Sequence, residues 1–179
     1  LNETLLRPGF LIGVLAMVII VTASNILVQY PVNDWITWGA FTYPVAFLVT
    51  DLTNRRLGPA TARRVVLAGF AIAVAMSIWL ATPRIALASG SAFLIAQLAD
   101  VWIFNRLRDL AWWRAPLVSS LLASALDTAL FFTLAFAFTG LPWMTWAVGD
   151  YGVKVAVALA MLIPFRLLLR ATTPVAASR

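Results

Sequence analysis

The residue that most needs a chemical reason is Asp127. It stands deep in an apolar run, eleven residues after Pro116 and twelve before Thr139. A carboxylate at mid-bilayer costs ~2.5–3.5 kcal/mol on insertion scales, so it is kept there for a partner or a ligand. Ser120, Ser124 and Asp127 share one helical face by the i, i+4, i+7 rule. That polar stripe either receives a ligand or, through its small residues, lets helices approach closely. Asp150 and Lys154 stand i, i+4 apart with the acid first, the favourable order for a helical pair. Lys154 then neutralises Asp150, reaches Asp127, or faces an anionic or carbonyl group of a ligand.

Other polar residues sit nearer the ends of apolar runs. Asp100 follows Gln97 by about one turn, and Asp51 precedes Arg55 and Arg56. Both acids suit salt bridges to neighbouring arginines, or a gate that breaks and reforms. Gln97 lies deeper, is uncharged, and is a candidate ligand contact. Asn25 and Gln29 are spaced i, i+4, and Tyr43 precedes Pro44. Proline frees a carbonyl one turn earlier and locally opens a helix. Amides, a phenol and an exposed carbonyl at one depth suit a planar polar ligand.

Several chemistries are excluded. The chain has no histidine and no cysteine, which removes disulfides, thiol nucleophiles, the usual zinc sites and Ser-His catalysis. There is no P-loop pattern. Val148-Gly149-Asp150 falls one glycine short of the Gly-x-Gly-Asp signature of intramembrane aspartyl proteases. The expectation is a non-enzyme with no cofactor and no metal.

The elements that must position these residues follow from composition. Of 179 residues, 63% are apolar and 11% charged, against roughly a quarter charged in a soluble domain. A spanning helix needs ~20 apolar residues, so six fit with short loops. The apolar runs predict spans at about 8–30, 38–52, 65–82, 85–104, 116–139 and 147–169. Basic loops fall at 53–64 and 105–115, with a polar turn at 31–37. The fold class expected is all-α, a polytopic membrane protein of six transmembrane helices in one domain, 1–179. Six spans put Arg7, Arg55, Arg56, Arg63, Arg64, Arg106, Arg108, Arg114, Arg166, Arg170 and Arg179 on one side, and Arg84 alone on the other. The positive-inside rule then places both termini in the cytoplasm. The net charge of +6 thus reflects topology in a lipid bilayer, not a nucleic-acid partner. Tryptophans such as Trp35, Trp38, Trp112, Trp113, Trp143 and Trp146 fall at predicted interfaces as anchors. Six short spans make a thin wall around a site, which suggests a homodimer.

Four motifs, in order, carry a resemblance: Ser24-Asn25-Ile26-Leu27; Thr42-Tyr43-Pro44-x-x-Phe47-x-x-x-Asp51-Leu52, followed by Arg63; Gln97-Leu98-x-Asp100-Val101-x-x-Phe104-Asn105-x-Leu107; and Ser120-x-x-x-Ser124-x-x-Asp127-Thr128-x-x-Phe131. Together they resemble the bacterial queuosine-precursor transporters, also called the vitamin uptake transporters. The resemblance implies an inner-membrane importer of 7-cyano- and 7-aminomethyl-7-deazaguanine. The residue chemistry is compatible. Asp127 could accept the N–H donors of a guanine-like edge, Asn25 and Gln97 could read its carbonyl and ring nitrogens, and Tyr43 or Phe47 could stack on its face. The expected substrate-binding set is Asn25, Gln29, Tyr43, Phe47, Gln97, Ser124, Asp127 and Lys154, with Asp51, Asp100 and Asp150 in gating or salt bridges. Without an encoded ATPase, transport is secondary or facilitated. The alternative is the substrate-binding membrane subunit of an energy-coupling-factor importer, which would need a separate ATPase module.

Overall fold

The structure is a computed structural model, and it describes residues 8–27, 30–33, 35–80 and 83–171. Helix α1 covers Pro8–Leu27 and is followed by a short antiparallel hairpin, β1 (Pro31–Asn33) and β2 (Ile36–Thr37). Helices α2 (Gly39–Thr42) and α3 (Val45–Leu57) come next, then α4 (Pro59–Leu80), α5 (Pro83–Leu107), α6 (Arg114–Phe136) and α7 (Trp143–Ala171).

Local chemistry explains the boundaries. Pro8, Pro59 and Pro83 open α1, α4 and α5, where the missing N–H costs nothing and φ is already helical. Gly58 between α3 and α4 has φ +85°, and Gly140 before α7 has φ +75°; glycine takes that left-handed conformation without strain. Pro44 separates α2 from α3, yet Tyr43 and Pro44 both keep right-handed helical angles. The chain from Gly39 to Leu57 is therefore one bent rod. In the hairpin, the Asn33 Oδ1 accepts from the backbone N–H groups of Trp35 and Ile36 at 2.9 and 3.0 Å, so the stretch expected as a polar turn is closed by an Asx turn.

Two expected boundaries need correcting. Residues 53–64, read as a basic loop, are the end of α3 and the start of α4 around Gly58. The arginines lie on helix ends because carbonyls there lack intrahelical donors. Arg55 Nη1 donates to the Arg108 carbonyl, Arg56 Nη2 to the Leu168 carbonyl, and Arg84 to the Leu134 and Ala137 carbonyls at 3.0 and 2.7 Å. Likewise α7 begins at Trp143, taking in residues expected before the last span.

The helices pack inside out relative to a soluble protein. Asp51, Gln97, Asp100, Asp127 and Lys154 are all buried, while Leu11, Ile12, Leu15, Leu87, Leu122, Val148, Ile163 and Leu167 face outward. Exposed apolar faces around a buried polar interior suit lipid. Among the described residues, three helices are long and apolar enough to cross a membrane: 83–107, 114–136 and 143–170. A shorter apolar helix covers 8–24. The chain is thus largely α-helical, with several long apolar helices of a multi-pass membrane protein. The second expected span differs for a physical reason, since its rod is bent at Pro44 and rich in Thr, Asp, Asn and Arg toward its end.

One apolar cluster joins α1, α3, α4 and α5 through Phe10, Met17, Val21, Ala46, Ala62, Val65, Phe93 and Val101. Close approach of α1 and α4 depends on Gly69, where a Cβ would sit 2.4 Å from Met17 Cγ. A second cluster, Phe104, Ala115 and Phe165, joins α5, α6 and α7 at the end rich in arginine. The polar interior lies between these clusters.

Candidate functional site

Two polar groups occupy that interior, at different depths along α6. The first centres on Lys154, whose Nζ lies 2.8 Å from Asp127 Oδ2 and 2.6 Å from Asp150 Oδ2, and donates to Thr128 Oγ1 at 3.0 Å. Thr128 in turn donates to Asp150 Oδ2 at 2.8 Å. Tyr43 donates its hydroxyl to Asp127 Oδ1 at 3.0 Å, and its ring lies 5.3 Å from Nζ. The i, i+4 spacing within α7 and the i, i+1 pair Asp127-Thr128 on α6 put three side chains around one ammonium, and Tyr43 brings a fourth. Lys154 therefore does two of the things expected of it, pairing with Asp150 and with Asp127.

This geometry changes the reading of Asp127. Both of its oxygens have protein partners, and Asp127 does not line the cleft described below. In this conformation it holds Tyr43 and Lys154 instead of offering a free carboxylate. Lys154 likewise has its three donors engaged by Asp127, Asp150 and Thr128.

The second group lies two turns along α6 toward the arginine end. Asp51 accepts from Ser119 and Ser120, each at 3.3 Å. Asp100 of α5 is fully buried at the same level, and neither of its oxygens has a hydrogen-bond partner. Thr50, one residue before Asp51, donates to Gln97 Oε1 at 2.5 Å. Asn54 ties α3 to α5 by donating to the Val101 carbonyl at 3.0 Å. Among the described residues Asp51 and Asp100 form no ion pair with an arginine. That corrects the expected salt bridges, because Arg55 and Arg56 turn away to helix-end carbonyls.

A narrow cleft opens beside this second group. Phe47, Leu48 and Asp51 of α3, Pro116, Ser120 and Ser124 of α6, and Ala158, Met161, Leu162 and Phe165 of α7 line it, with Pro44 at one end. It admits a water-sized guest and is too tight for a bicyclic base, so the conformation is a closed one. Ser124 Oγ in its lining is buried and lacks a hydrogen-bond partner, as do Asn54 Oδ1 on α3 and Gln97 Nε2 and both Asp100 oxygens on α5. Unpaired buried polar groups each cost ~1–3 kcal/mol, so a cluster of them points to a guest or a proton that satisfies them.

The structure therefore brings Tyr43, Asp127, Lys154 and Asp150 together in one group, and Asp51, Asp100, Gln97, Ser124 and Phe47 around the other. Tyr43 and Phe47 bridge the two, their ring centroids 6.3 Å apart, with Tyr43 also edge-on to Phe93 at 6.2 Å. The side chain of Asn25 and the whole of Gln29 lie outside the described residues. Sequence reasoning missed Thr50, Ser119 and Thr128. A hydroxyl adjacent to an interior acid was the signal for Thr50 and Thr128, while Ser119 had only its neighbour Ser120.

Comparison with known proteins gives one consistent answer. The family profile described as "Putative vitamin uptake transporter" matches residues 37–82 and 76–169. The chain is 37% identical over 177 residues to the queuosine precursor transporter of Escherichia coli K12, covering 82% of this chain and 79% of that protein. It is 35% identical over 188 residues to a probable queuosine precursor transporter of Haemophilus influenzae, covering 82% and 80%. With the one from Bacillus subtilis it shares 27% over 156 residues, covering 70% and 68%. No solved structure matches. The chain is a multi-pass transporter of the bacterial inner membrane and not an enzyme. Its motifs, its buried polar interior and these matches converge: the chain belongs to the vitamin uptake transporter family, the family of the queuosine precursor transporters.

Proposed function

We propose that this chain imports queuosine precursors of the 7-deazaguanine class through six spans with both termini in the cytoplasm. The observation that carries the reading is the cleft between α3, α6 and α7, where Asp51, Ser120 and the unpartnered Ser124 hydroxyl line a slot edged by Phe47 and Phe165. A flat heterocycle with N–H donors along one edge and acceptors along another matches that chemistry. Opening the cleft by parting α7 from α3 admits the base between the aromatic edges.

Asp51 is the acceptor in this proposal. A carboxylate has about four lone-pair sites; Ser119 and Ser120 take two, which leaves two for a guest. Ser124 and Gln97 read the remaining polar edge, and Phe47 and Tyr43 contact the face. Asp127, Lys154 and Asp150 form the ceiling that fixes Tyr43. Asn25 and Gln29 stay in the proposed set on the strength of their spacing alone. A base lacking a matching group leaves these buried atoms unpaired, and that penalty supplies discrimination.

The names of the relatives support the substrate class and involve no separate ATPase, so the alternative of a subunit serving an external ATPase gains nothing. The expected pairing of two copies is unsupported, and the reading stands without it.

The test is complementation. A bacterium lacking both queuosine precursor synthesis and its own transporter receives this gene and one deazaguanine at a time. Queuosine in tRNA that depends on both the gene and the added precursor is the expected result. Membrane-inserted protein with no queuosine from any precursor overturns the proposal.

A further inference from the structure

Asp51 and Asp100 present a problem of chemistry. Both are essentially inaccessible, at 2% and 0% exposure, and two bonds between α3 and α5, Thr50 to Gln97 and Asn54 to the Val101 carbonyl, bracket them. Two ionised carboxylates are acceptors only and cannot hydrogen bond to each other. Two like charges near one another in a low-dielectric interior also repel strongly. Neither Asp100 oxygen has a hydrogen-bond donor, so a hydrogen carried by this pair accounts for its burial without a cation.

We propose that the Asp51–Asp100 pair is a proton-carrying site and that the chain moves its substrate together with a proton. The inference rests on the importer reading and deepens it by naming the coupling ion.

Among the described residues no cation is paired with either acid. On α3, Arg55 and Arg56 are directed to the Arg108 and Leu168 carbonyls. On α5, Arg106 lies over Trp102, and just past its end Arg108 bonds Asn105. On α6, the Ser119 and Ser120 hydroxyls bond Asp51, Arg114 lies over Trp113, and Asp127 is two turns away, bound to Lys154. On α7, the cleft-facing residues are apolar, Arg166 covers Trp112, and Lys154 is taken by Asp127 and Asp150. From α4, Arg63 and Arg64 point to the exposed surface. No described residue of α1 brings a charge to the pair.

A second, independent observation marks the same place as a site for a guest. Ser124 Oγ, on a residue 1% exposed, lines the cleft with Asp51 and has no partner, and Gln97 Nε2, one turn from Asp100, has none either. Substrate slot and carboxyl pair therefore share Asp51. Opening the cleft toward the arginine end separates α3 from its neighbours, exposes the pair to water and lets the proton leave. Without a hydrogen the two charges resist coming back together, so closure waits for a new proton. That sequence couples reorientation of the slot to proton movement.

The experiment uses the purified full chain in liposomes with labelled 7-cyano-7-deazaguanine. With the interior one pH unit more alkaline, one proton per substrate gives accumulation of up to about tenfold. The expected results are that accumulation, its collapse with a protonophore, and a substrate-dependent fall in the signal of an internal pH dye. Asp100→Asn is expected to lose gradient-driven accumulation while still exchanging labelled for unlabelled substrate. Wild-type protein that exchanges substrate but reaches the same level with and without the gradient, with internal pH unmoved, overturns the proton site and leaves the importer reading intact. Asp100→Asn that still accumulates substrate under the gradient overturns it too. If no substrate enters or exchanges under any gradient, the importer reading fails and the coupling falls with it. Should Asp100→Asn not fold, the gradient, protonophore and dye measurements on the wild type decide alone.

Discussion

Replacing Lys154 by Met tests the polar ceiling. Methionine keeps the length and the apolar stem but removes the ammonium that lies 2.8 Å from Asp127 and 2.6 Å from Asp150. The side chains of Lys154 and Asp127 are 4% and 6% exposed, so the value of an exposed pair, about 0–1 kcal/mol, does not apply. Stranding a buried charge costs about 3–5 kcal/mol. Asp150, 17% exposed, contributes the smaller share because water reaches it. A protein of this size is expected to lose about 6–20 °C in Tm for such a change. Tryptophan fluorescence reads unfolding directly, since the chain carries eight tryptophans. Adding Asp127→Asn to Lys154→Met removes the stranded charge and is expected to recover about 1–3 kcal/mol in a double-mutant cycle. A Lys154→Met protein as stable as the wild type, or a double variant whose loss is the sum of the single ones, refutes the reasoning.

Three further outcomes follow from particular contacts. Ser124→Ala deletes a hydroxyl with no protein partner; thermal stability is expected to hold while affinity for 7-cyano-7-deazaguanine falls about five- to tenfold, a loss of about 1 kcal/mol, measured by calorimetry on purified protein. Gly69→Ala drives a methyl into buried Met17 and is expected to cost about 1–3 kcal/mol, with part of the loss in Tm recovered by adding Met17→Ala. Gly58→Ala forces φ +85° on a residue with a Cβ, at about 1–2 kcal/mol, and thermal unfolding of that variant checks it.

Much of the architecture was legible because lipid imposes a simple pattern. Apolar runs broken at Pro83, Gly140 and Pro142 fall near observed helix boundaries. Pro44 marked a bend that the structure places between α2 and α3. The stretch 53–64 was misread because arginines look like loop residues, while Arg55 and Arg56 in fact serve helix-end carbonyls on other helices. The site was legible in residue type but not in pairing. Asp127, Lys154 and Asp150 stood out as interior charges, yet which of them meet depends on how α6 packs on α7. Asp51 looked like an end-of-span acid next to two arginines. It became the acid facing the cleft because α6 brings Ser119 and Ser120 against it and α5 brings Asp100 to the same level. Spacing within one helix does not encode contacts between three.

The central claim is that substrate meets the chain at Asp51, between Phe47 and Ser124, and not at Asp127. Equilibrium binding of labelled 7-cyano-7-deazaguanine to the purified Asp51→Asn variant tests it most directly. The account predicts that a folded Asp51→Asn protein binds at least about tenfold more weakly than the wild type, the loss of a charged hydrogen bond worth about 1.5–3 kcal/mol. Wild-type affinity in that variant contradicts it.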